Sequence, residues 1–469
     1  MKNFLVFLLI QFCSFSYAKT WWVGPSHSYN RPSQVSSLVA DGDSVWIEAG
    51  LYEKDVCLWK ANHLFISGYG GYAVLDAKQT GYGGKAIWVI AGDNSYVAFI
   101  EFSHCEVVDK NGAGIRQEGK NLRVNHCRFI SNQNGILAGD YAGSEIIVEH
   151  CEFDHNGSGT GYTHNIYVNH IQKLVMRYNY IHHAYYGHEI KSRAHENVIL
   201  YNRITNEDGD ASYEIDLPNG GQALVLGNII QQSKFSDNNT IISFGREGLT
   251  NTAPHIFYFI NNTVVNQEDK GILFNIQSKT DTVVAINNLI AGNLTLISGI
   301  PVSFIESNNI KFEDLNLFNF KNPAHYDYHL TESSPGIDGG LILNKAVLGY
   351  ELRADKEYVH PIEWNLRYND LKVDLGAHEK QQITDTRQFD VDISYPYVFQ
   401  GETNIFKILG PYETLFDGAM MYLIGVEGKK YGRLVYSLGY GIQLPVTVPG
   451  MYYLISDLAG QRVVWPLVR

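Results

Sequence analysis

A short unit returns through the middle of this chain: an apolar residue, then Asn or Cys, then another apolar residue. It reads Val124-Asn125-His126-Cys127-Arg128-Phe129 and then Val148-Glu149-His150-Cys151-Glu152-Phe153. It continues as Met176 to Ile181, Leu200 to Ile204, Leu226 to Ile230, Phe259 to Val264 and Ala285 to Ile290. The marker steps from Cys105 through Cys127, Cys151, Asn179, Asn202, Asn228, Asn262 and Asn288 to Asn309, at intervals of 22, 24, 28, 23, 26, 34, 26 and 21 residues. Self-similarity at this spacing means a solenoid, in which each unit buries its apolar face only by stacking on its neighbours. The units are rich in Val, Ile and Phe, with Gly and Asn at the breaks, so each is built of strands. The expected fold is all-β: a right-handed parallel β-helix of roughly ten coils, followed by a small C-terminal β-sandwich.

The chain is long enough for a large core and for two or three domains: 469 residues, 45% hydrophobic and 18% charged. Its 44 Gly and 31 Tyr suit a loop-rich β protein, and exposed Tyr suits sugar binding. The formal net charge is −13 with no long basic run, which argues against nucleic acid as a partner. An anionic polymer stays open as a ligand if local Lys, Arg or metal supplies the positive charge. Lys2, the apolar stretch Phe4 to Phe12 and Ser16-Tyr17-Ala18 have the form of a secretory signal over residues 1–18; the alternative is a buried N-terminal strand. A lipoprotein signal fits less well, because bulky Gln11-Phe12 precede Cys13.

Four cysteines follow, Cys57, Cys105, Cys127 and Cys151, a number that permits disulfides in an exported protein. The last three share one repeat position, so the simpler expectation is an internal stack of small side chains. A metal site shared with His104, His126 and His150 conflicts with strand geometry, since adjacent residues point to opposite faces.

Residues 19–60 form an N-terminal cap and first strands, with a short helix expected from Ser33 to Ala40 ahead of Asp41-Gly42-Asp43-Ser44-Val45-Trp46-Ile47. A cap is required because an open end would expose a stack of unpaired edges. Coils are expected over 61–315 and a closing region over 316–383. Residues 384–469 alternate short apolar runs with Gly and Pro and read as the β-sandwich.

Three successive coils carry the chemistry: Thr163-His164-Asn165-Ile166-Tyr167-Val168-Asn169, Gly187-His188-Glu189-Ile190-Lys191-Ser192-Arg193 and Ser212-Tyr213-Glu214-Ile215-Asp216-Leu217-Pro218. Aligned on Ile166, Ile190 and Ile215, they repeat at 24 and 25 residues. If the Ile side chains point inward, their neighbours point outward, and stacked coils lie about 4.8 Å apart. One expected outward column is Asn165, Glu189 and Glu214; the next is Tyr167, Lys191 and Asp216; a third begins with Asn169 and Arg193. Glu189 directly over Glu214 is a like-charge pair that needs a cation or a proton. The Asn/Glu/Glu column suits Ca²⁺. Lys191 beside it, crowded by Arg193, suits a base. His164, His188 and Tyr213 have inward parity; they are either buried and hydrogen-bonded or placed at strand starts where they reach the cleft. Together these are the parts for β-elimination from a uronic acid: a cation on the carboxylate, a base for the C5 proton and an acid for the leaving O4.

Residues 110–250 resemble the β-helix polysaccharide lyases that cleave alginate and chondroitin B, within the pectate-lyase-like superfamily. The resemblance rests on Asn165, Glu189 and Lys191-Ser192, which match in type and order that family's Ca²⁺-holding Asn and Glu and its basic Lys-Ser pair. It implies Lys191 as base. Arg193 or Tyr167 is the candidate acid, His188 a further candidate catalytic group, and His164, Tyr213, Asp216 and Arg116 the candidate substrate contacts. The family places its Glu residues further ahead of the Lys and has Arg in the following coil, where this chain has Asp216. The opening Gly-Asp-x-Val-x-Ile pattern and the string Asp374-Leu375-Gly376-Ala377-His378-Glu379 resemble the ends of secreted β-helix proteins. The stretch Gly450-Met451-Tyr452-Tyr453 to Val468-Arg469 is similar to the sorting domains of the Bacteroidota type IX secretion pathway. That implies a secreted or cell-surface protein of a Gram-negative bacterium, in contact with secretion machinery. The expectation is a monomeric polysaccharide lyase acting on an anionic, uronate-containing polymer. The alternatives are a C5-epimerase, a glycoside hydrolase using Glu189, Glu214 and Asp216, or a surface carbohydrate-binding protein without activity.

Overall fold

The computed structural model describes residues 18–367 and 372–380 in full and, beyond them, the backbone of strands between Tyr397 and Val468. The secretory signal expected at the N-terminus lies outside the described residues, Ala18 excepted. No helix among the described residues is long and apolar enough to cross a membrane.

The repeat folds as a parallel β-helix. Each coil places one strand in a ten-stranded parallel sheet, from Cys57–Trp59 to Leu294–Ser298. Most coils place two more, either side of a bend, in a second sheet of 21 strands. The register of the ten-stranded sheet carries Ile136, Ile166, Ile190, Ile215, Ile242 and Phe274 on successive rungs, all buried. These isoleucines line the interior with Phe102, Phe129 and Phe153, whose rings stack at 5.1 and 4.6 Å.

From Cys127 onward the marker residues sit at the bend in the second sheet, each preceded by a residue in the left-handed region, such as His150 (φ 54°), Tyr178 (φ 62°) and Asn261 (φ 51°). Asn, Asp and His tolerate that conformation better than most residues, and Gly227 adopts it freely. Asn179, Asn202, Asn228, Asn262, Asn288 and Asn309 form a ladder inside the coil. The Asn228 side-chain oxygen accepts from the backbone N–H of Asn202 (2.8 Å) and from its Nδ2 (3.0 Å). Asn228 Nδ2 then donates to Asn262 Oδ1 and to the Ile199 carbonyl. Each interior amide thus satisfies two backbone groups that the bend leaves without sheet partners. Cys127 and Cys151 continue the column as buried free thiols. Cys105, expected in the same stack, lies at the following bend instead: Glu101 pairs with Arg128, which puts Ile100 on the Cys127 rung, and the Cys105 N–H donates to Asn132 Oδ1. His126 and His150 point the other way, out of the coil, where their rings stack at 4.7 Å and approach Glu363.

The helix expected at Ser33 to Ala40 is only a 3-10 turn, Pro32–Gln34, followed by turns. Three serines and two valines in eight residues are weak helix formers, and the segment is too short to propagate. The closing region does not plug the end of the coil. It runs back along the outer face of the 21-stranded sheet, where Leu352, Ala354 and Trp364 pack on Val175, Tyr178 and Leu224. Phe318, Phe320 and Tyr358 pack on Ile229, Val265 and Leu289. Its anchor is Arg367, which is buried, pairs with Glu379 and donates to the carbonyls of Asp374 and Gly376. Beyond residue 380 the described strands form two antiparallel sheets, and Met451–Leu458 pairs with Gln461–Val468.

Truncating one rung tests the ladder. Asn228→Ala strips the acceptor from two buried Asn202 donors, and leaving buried partners unmet costs about 1–3 kcal/mol each. A marked fall in the denaturation midpoint is expected, with a smaller one for Cys127→Ala. Equal midpoints for Asn228→Ala and wild type would show that the amide ladder contributes nothing.

Candidate functional site

The outer face of the ten-stranded sheet carries one column in register: Arg116, Leu137, Tyr167, Lys191, Asp216 and Ser243. Its first half is apolar, with Leu58, Ala86, Val89, Ala113 and Leu137 packed against Tyr167. At Lys191 it becomes polar. Lys191 Nζ lies 3.0 Å from Asp216 Oδ2 on the next rung and 2.9 Å from Glu247 Oε1. Glu247 comes from the loop after strand Thr240–Phe244, and its second oxygen lies 2.6 Å from Arg193 Nη2. Arg193 also donates through Nε to the Tyr167 hydroxyl (3.0 Å) and through Nη1 to Asn219 Oδ1 (2.6 Å). Two cations therefore grip one carboxylate, beside the Tyr167 phenol and the buried Asp216.

His164 and His188 are buried and Tyr213 is half-buried, and each lies just before a strand of this sheet, so the two expected positions are combined. The rings form a continuous row, His164 tilted on His188 at 4.6 Å and His188 edge-on to Tyr213 at 4.7 Å. His164 also lies against Tyr167, and His188 Nε2 is 3.6 Å from Asp216 Oδ2, so this stack borders the Tyr167–Lys191–Asp216 column. The backbone N–H of His188 donates to His164 Nδ1, which leaves the His164 proton on Nε2. Tyr162, Tyr185, Tyr186 and Phe235, all exposed, sit in the loops leading into these coils and in the next one. Arg116 stands two rungs before Tyr167, about 10 Å along the column at the usual coil spacing, with Nε 3.8 Å from Glu118.

The column Asn165, Glu189 and Glu214 corrects the expectation of an outward face. All three side chains are wholly buried. Strict alternation fails because the chain bends just ahead of the strand: Asn165 and Ile166 both turn inward, and His164 and Tyr167 both turn outward. Asn165 Nδ2 donates to Glu189 and to the His182 carbonyl, while Glu189 Oε1 accepts from the Ala184 N–H. Glu214 has no hydrogen-bond partner on either oxygen. Burial pushes the Glu189 carboxyl up to about 7 and Glu214 well above the carboxylate range, with Glu189 itself adding to the shift. Burial thus favours the protonated forms of the like-charge pair. Asn165 Oδ1 accepts from Asn156 and both Glu189 oxygens accept from N–H groups, so only Glu214 has oxygens left to offer, and the column does not fit Ca²⁺, which requires several free oxygens turned toward one point.

Lys191 also differs from the expected free amine. Burial disfavours its ammonium, but Asp216 and Glu247 outweigh burial and raise its pKa above the ordinary value. Lys191 is a fixed cation, and the charge that crowds it is negative. Burial raises Asp216 despite the opposing pull of Lys191. Burial also works to raise Glu247, but the hydrogen bonds and charges of Lys191 and Arg193 carry it below its ordinary value. His188 is driven down to about 3 by burial and then by Lys191, so it is a neutral imidazole.

Glu247 and Asn219 were not singled out from the sequence. Their signals were faint: a charged pair, Arg246-Glu247, between glycines one coil after Asp216, and an Asn in a Gly-Gly turn.

Residues 62–230 match the family model described as "Right handed beta helix region". With the parallel sheets above, this establishes a right-handed parallel β-helix. No curated protein matches the chain. Among solved structures, the "Crystal structure of pectate lyase Pel9A" aligns with 78% of this chain and 98% of that one, at 12% identity and a TM-score of 0.46.

The buried acids predict a pH signature. Glu189 titrates near 7 in the folded chain against an ordinary 4.5, so between these values the folded state keeps a proton that the unfolded state has lost. Stability from this group is complete below about 4.5 and declines as pH rises to about 7, by roughly 3 kcal/mol in all. Glu189→Gln and Glu214→Gln should match wild type in thermal midpoint near pH 4 and exceed it at pH 8. A midpoint difference that does not change with pH would show that these carboxyls are not held neutral.

Proposed function

We propose that this protein binds a uronate-containing polysaccharide along the outer face of the ten-stranded sheet and cleaves it by β-elimination at Lys191 and Arg193. The observation that carries this is the grip of both cations on the Glu247 carboxylate. Glu247 is half exposed on a loop and holds the place that a sugar carboxylate would take. A uronate seated there has its negative charge offset by two fixed cations, which acidifies the C5 proton without a metal. His188, a neutral imidazole beside Asp216, keeps a ring-nitrogen lone pair that can accept a proton. In this reading His188 takes the C5 proton, the C–H electrons form the C4=C5 double bond, and the C4–O4 bond breaks. Tyr167, whose oxygen already accepts from Arg193, gives its proton to O4. Lys191 is thus a clamp, in place of the base expected from the sequence.

A second reading has its own observation. Asp216 and Glu247 both contact Lys191 Nζ, at 3.0 and 2.9 Å, so the two carboxylates lie within about 6 Å, close to the spacing of retaining glycosidases. Their environments push their pKa values in opposite directions, the pattern of an acid and a nucleophile.

The test is a panel of uronate polysaccharides, assayed with and without chelator. The lyase reading expects ultraviolet-absorbing unsaturated ends, unaffected by chelator. It also expects Arg193→Ala and His188→Ala each to lower kcat/KM by about 10²-fold or more. Reducing ends without unsaturation would replace it with hydrolysis, and binding without either product would leave a carbohydrate-binding surface.

A further inference from the structure

On the 21-stranded sheet, away from the face just described, strands Glu152–Asp154 and Tyr180–His182 pair with Asp154 opposite His182. The next residue in each coil, His155 and His183, is left-handed (φ 52° and 53°), and the two rings stack at 4.6 Å. This brings four donor atoms together. Asp154 Oδ1 lies 2.5 Å from His155 Nδ1, 3.2 Å from His182 Nδ1 and 3.3 Å from His183 Nδ1. The Nδ1 atoms of His182 and His183 are themselves 2.6 Å apart.

If both His182 and His183 carried hydrogen on Nδ1, those hydrogens would meet, so at most one of the two nitrogens donates and the other presents a lone pair toward the cluster. The far nitrogens favour the lone-pair form. His183 Nε2 lies 3.3 Å from Asp208 Oδ1, and His182 Nε2 faces Glu152 Oε1 at 3.7 Å. A carboxylate on the outer nitrogen holds the proton there and turns the inner nitrogen into a ligand, the usual second shell of a metal-bound imidazole.

We infer that Asp154, His155 and His183, with His182 beside them, form a site for a divalent transition metal of the Zn²⁺ class. Imidazole nitrogens with one carboxylate select such ions over Ca²⁺ or Mg²⁺, which take oxygen ligands. His155 is 62% exposed in its side chain while His182 is 7% exposed, so the site is anchored on one side and open to water on the other.

Two other groups of this kind occur among the described residues, and both have ring nitrogens already committed. His150 Nδ1 bonds the Ile362 carbonyl beside Glu363, and His329 Nδ1 bonds Asp327 beside Glu357 and His378. The Asp154 group is also joined to the buried acids of the neighbouring bend: the His182 carbonyl accepts from Asn165 and the Ala184 N–H donates to Glu189.

The test is calorimetric titration of the metal-stripped full chain with ZnCl₂. One Zn²⁺ per chain is expected, with affinity lowered at least tenfold in Asp154→Asn and in His183→Gln, and unchanged in His329→Gln. Co²⁺ in place of Zn²⁺ should give visible d–d bands that the same two variants lose. Circular dichroism checks their folding, and His155→Gln, an exposed position, gives a third variant that burial does not compromise. Zn²⁺ binding that survives all three changes, or no stoichiometric binding to wild type, would overturn the site.

Discussion

The structure depends on how a coil turns a corner without leaving buried peptide groups unpaired. Parallel strands satisfy each other along straight runs, but a left-handed bend withdraws one N–H and one carbonyl per coil from the sheet. The interior Asn of each coil supplies both missing partners and also bonds the Asn of the next coil, so a local repair becomes a continuous ladder from Asn179 to Asn309. Where cysteines replace Asn, at Cys127 and Cys151, the same volume is filled by sulfur in the buried core. Because the ladder fixes the rung spacing, it also fixes the distance between side chains on the outer faces.

That spacing gives stacked charges opposite outcomes depending on which side of the wall they meet. Inside, Glu189 and Glu214 lie on adjacent rungs, and burial favours their protonated forms. Outside, Lys191 stacks on Asp216 and gains an acid from a loop, so all three charges persist. Acidic residues a few positions apart thus become neutral struts in one place and parts of a charged cleft in another.

The proposed sugar cleft and the proposed metal site lie on different sheets but share one bend. The segment His182-His183-Ala184 carries metal-site donors on its outer side and, through its backbone, holds Asn165 and Glu189 on its inner side. Glu189 is in turn the neighbour of Lys191 in sequence. A cation at Asp154 would therefore act through one short stretch of backbone on the strand that presents Lys191 and Arg193.

The coil repeat, the strands that build it, the stacking of Cys127 on Cys151 and the alignment of Ile166, Ile190 and Ile215 were legible in the sequence, because each follows from a period that local geometry enforces; Cys105 fits that period by spacing alone and lies at a different bend. The same period placed Tyr167, Lys191 and Asp216 on successive rungs. It failed at Asn165, Glu189 and Glu214, since alternation holds only within a strand and the chain bends just before Ile166, turning two consecutive residues inward. It could not foresee Glu247, whose loop carries it back over Lys191 from 56 residues away. Nor could it bring His155 and His183 onto one carboxylate, which required knowing which coil stacks on which. Sequence determined the architecture, since stacking is a property of each repeat. Tertiary structure decided the chemistry, because the charge a side chain carries depends on burial and on neighbours that only the folded coil brings within reach.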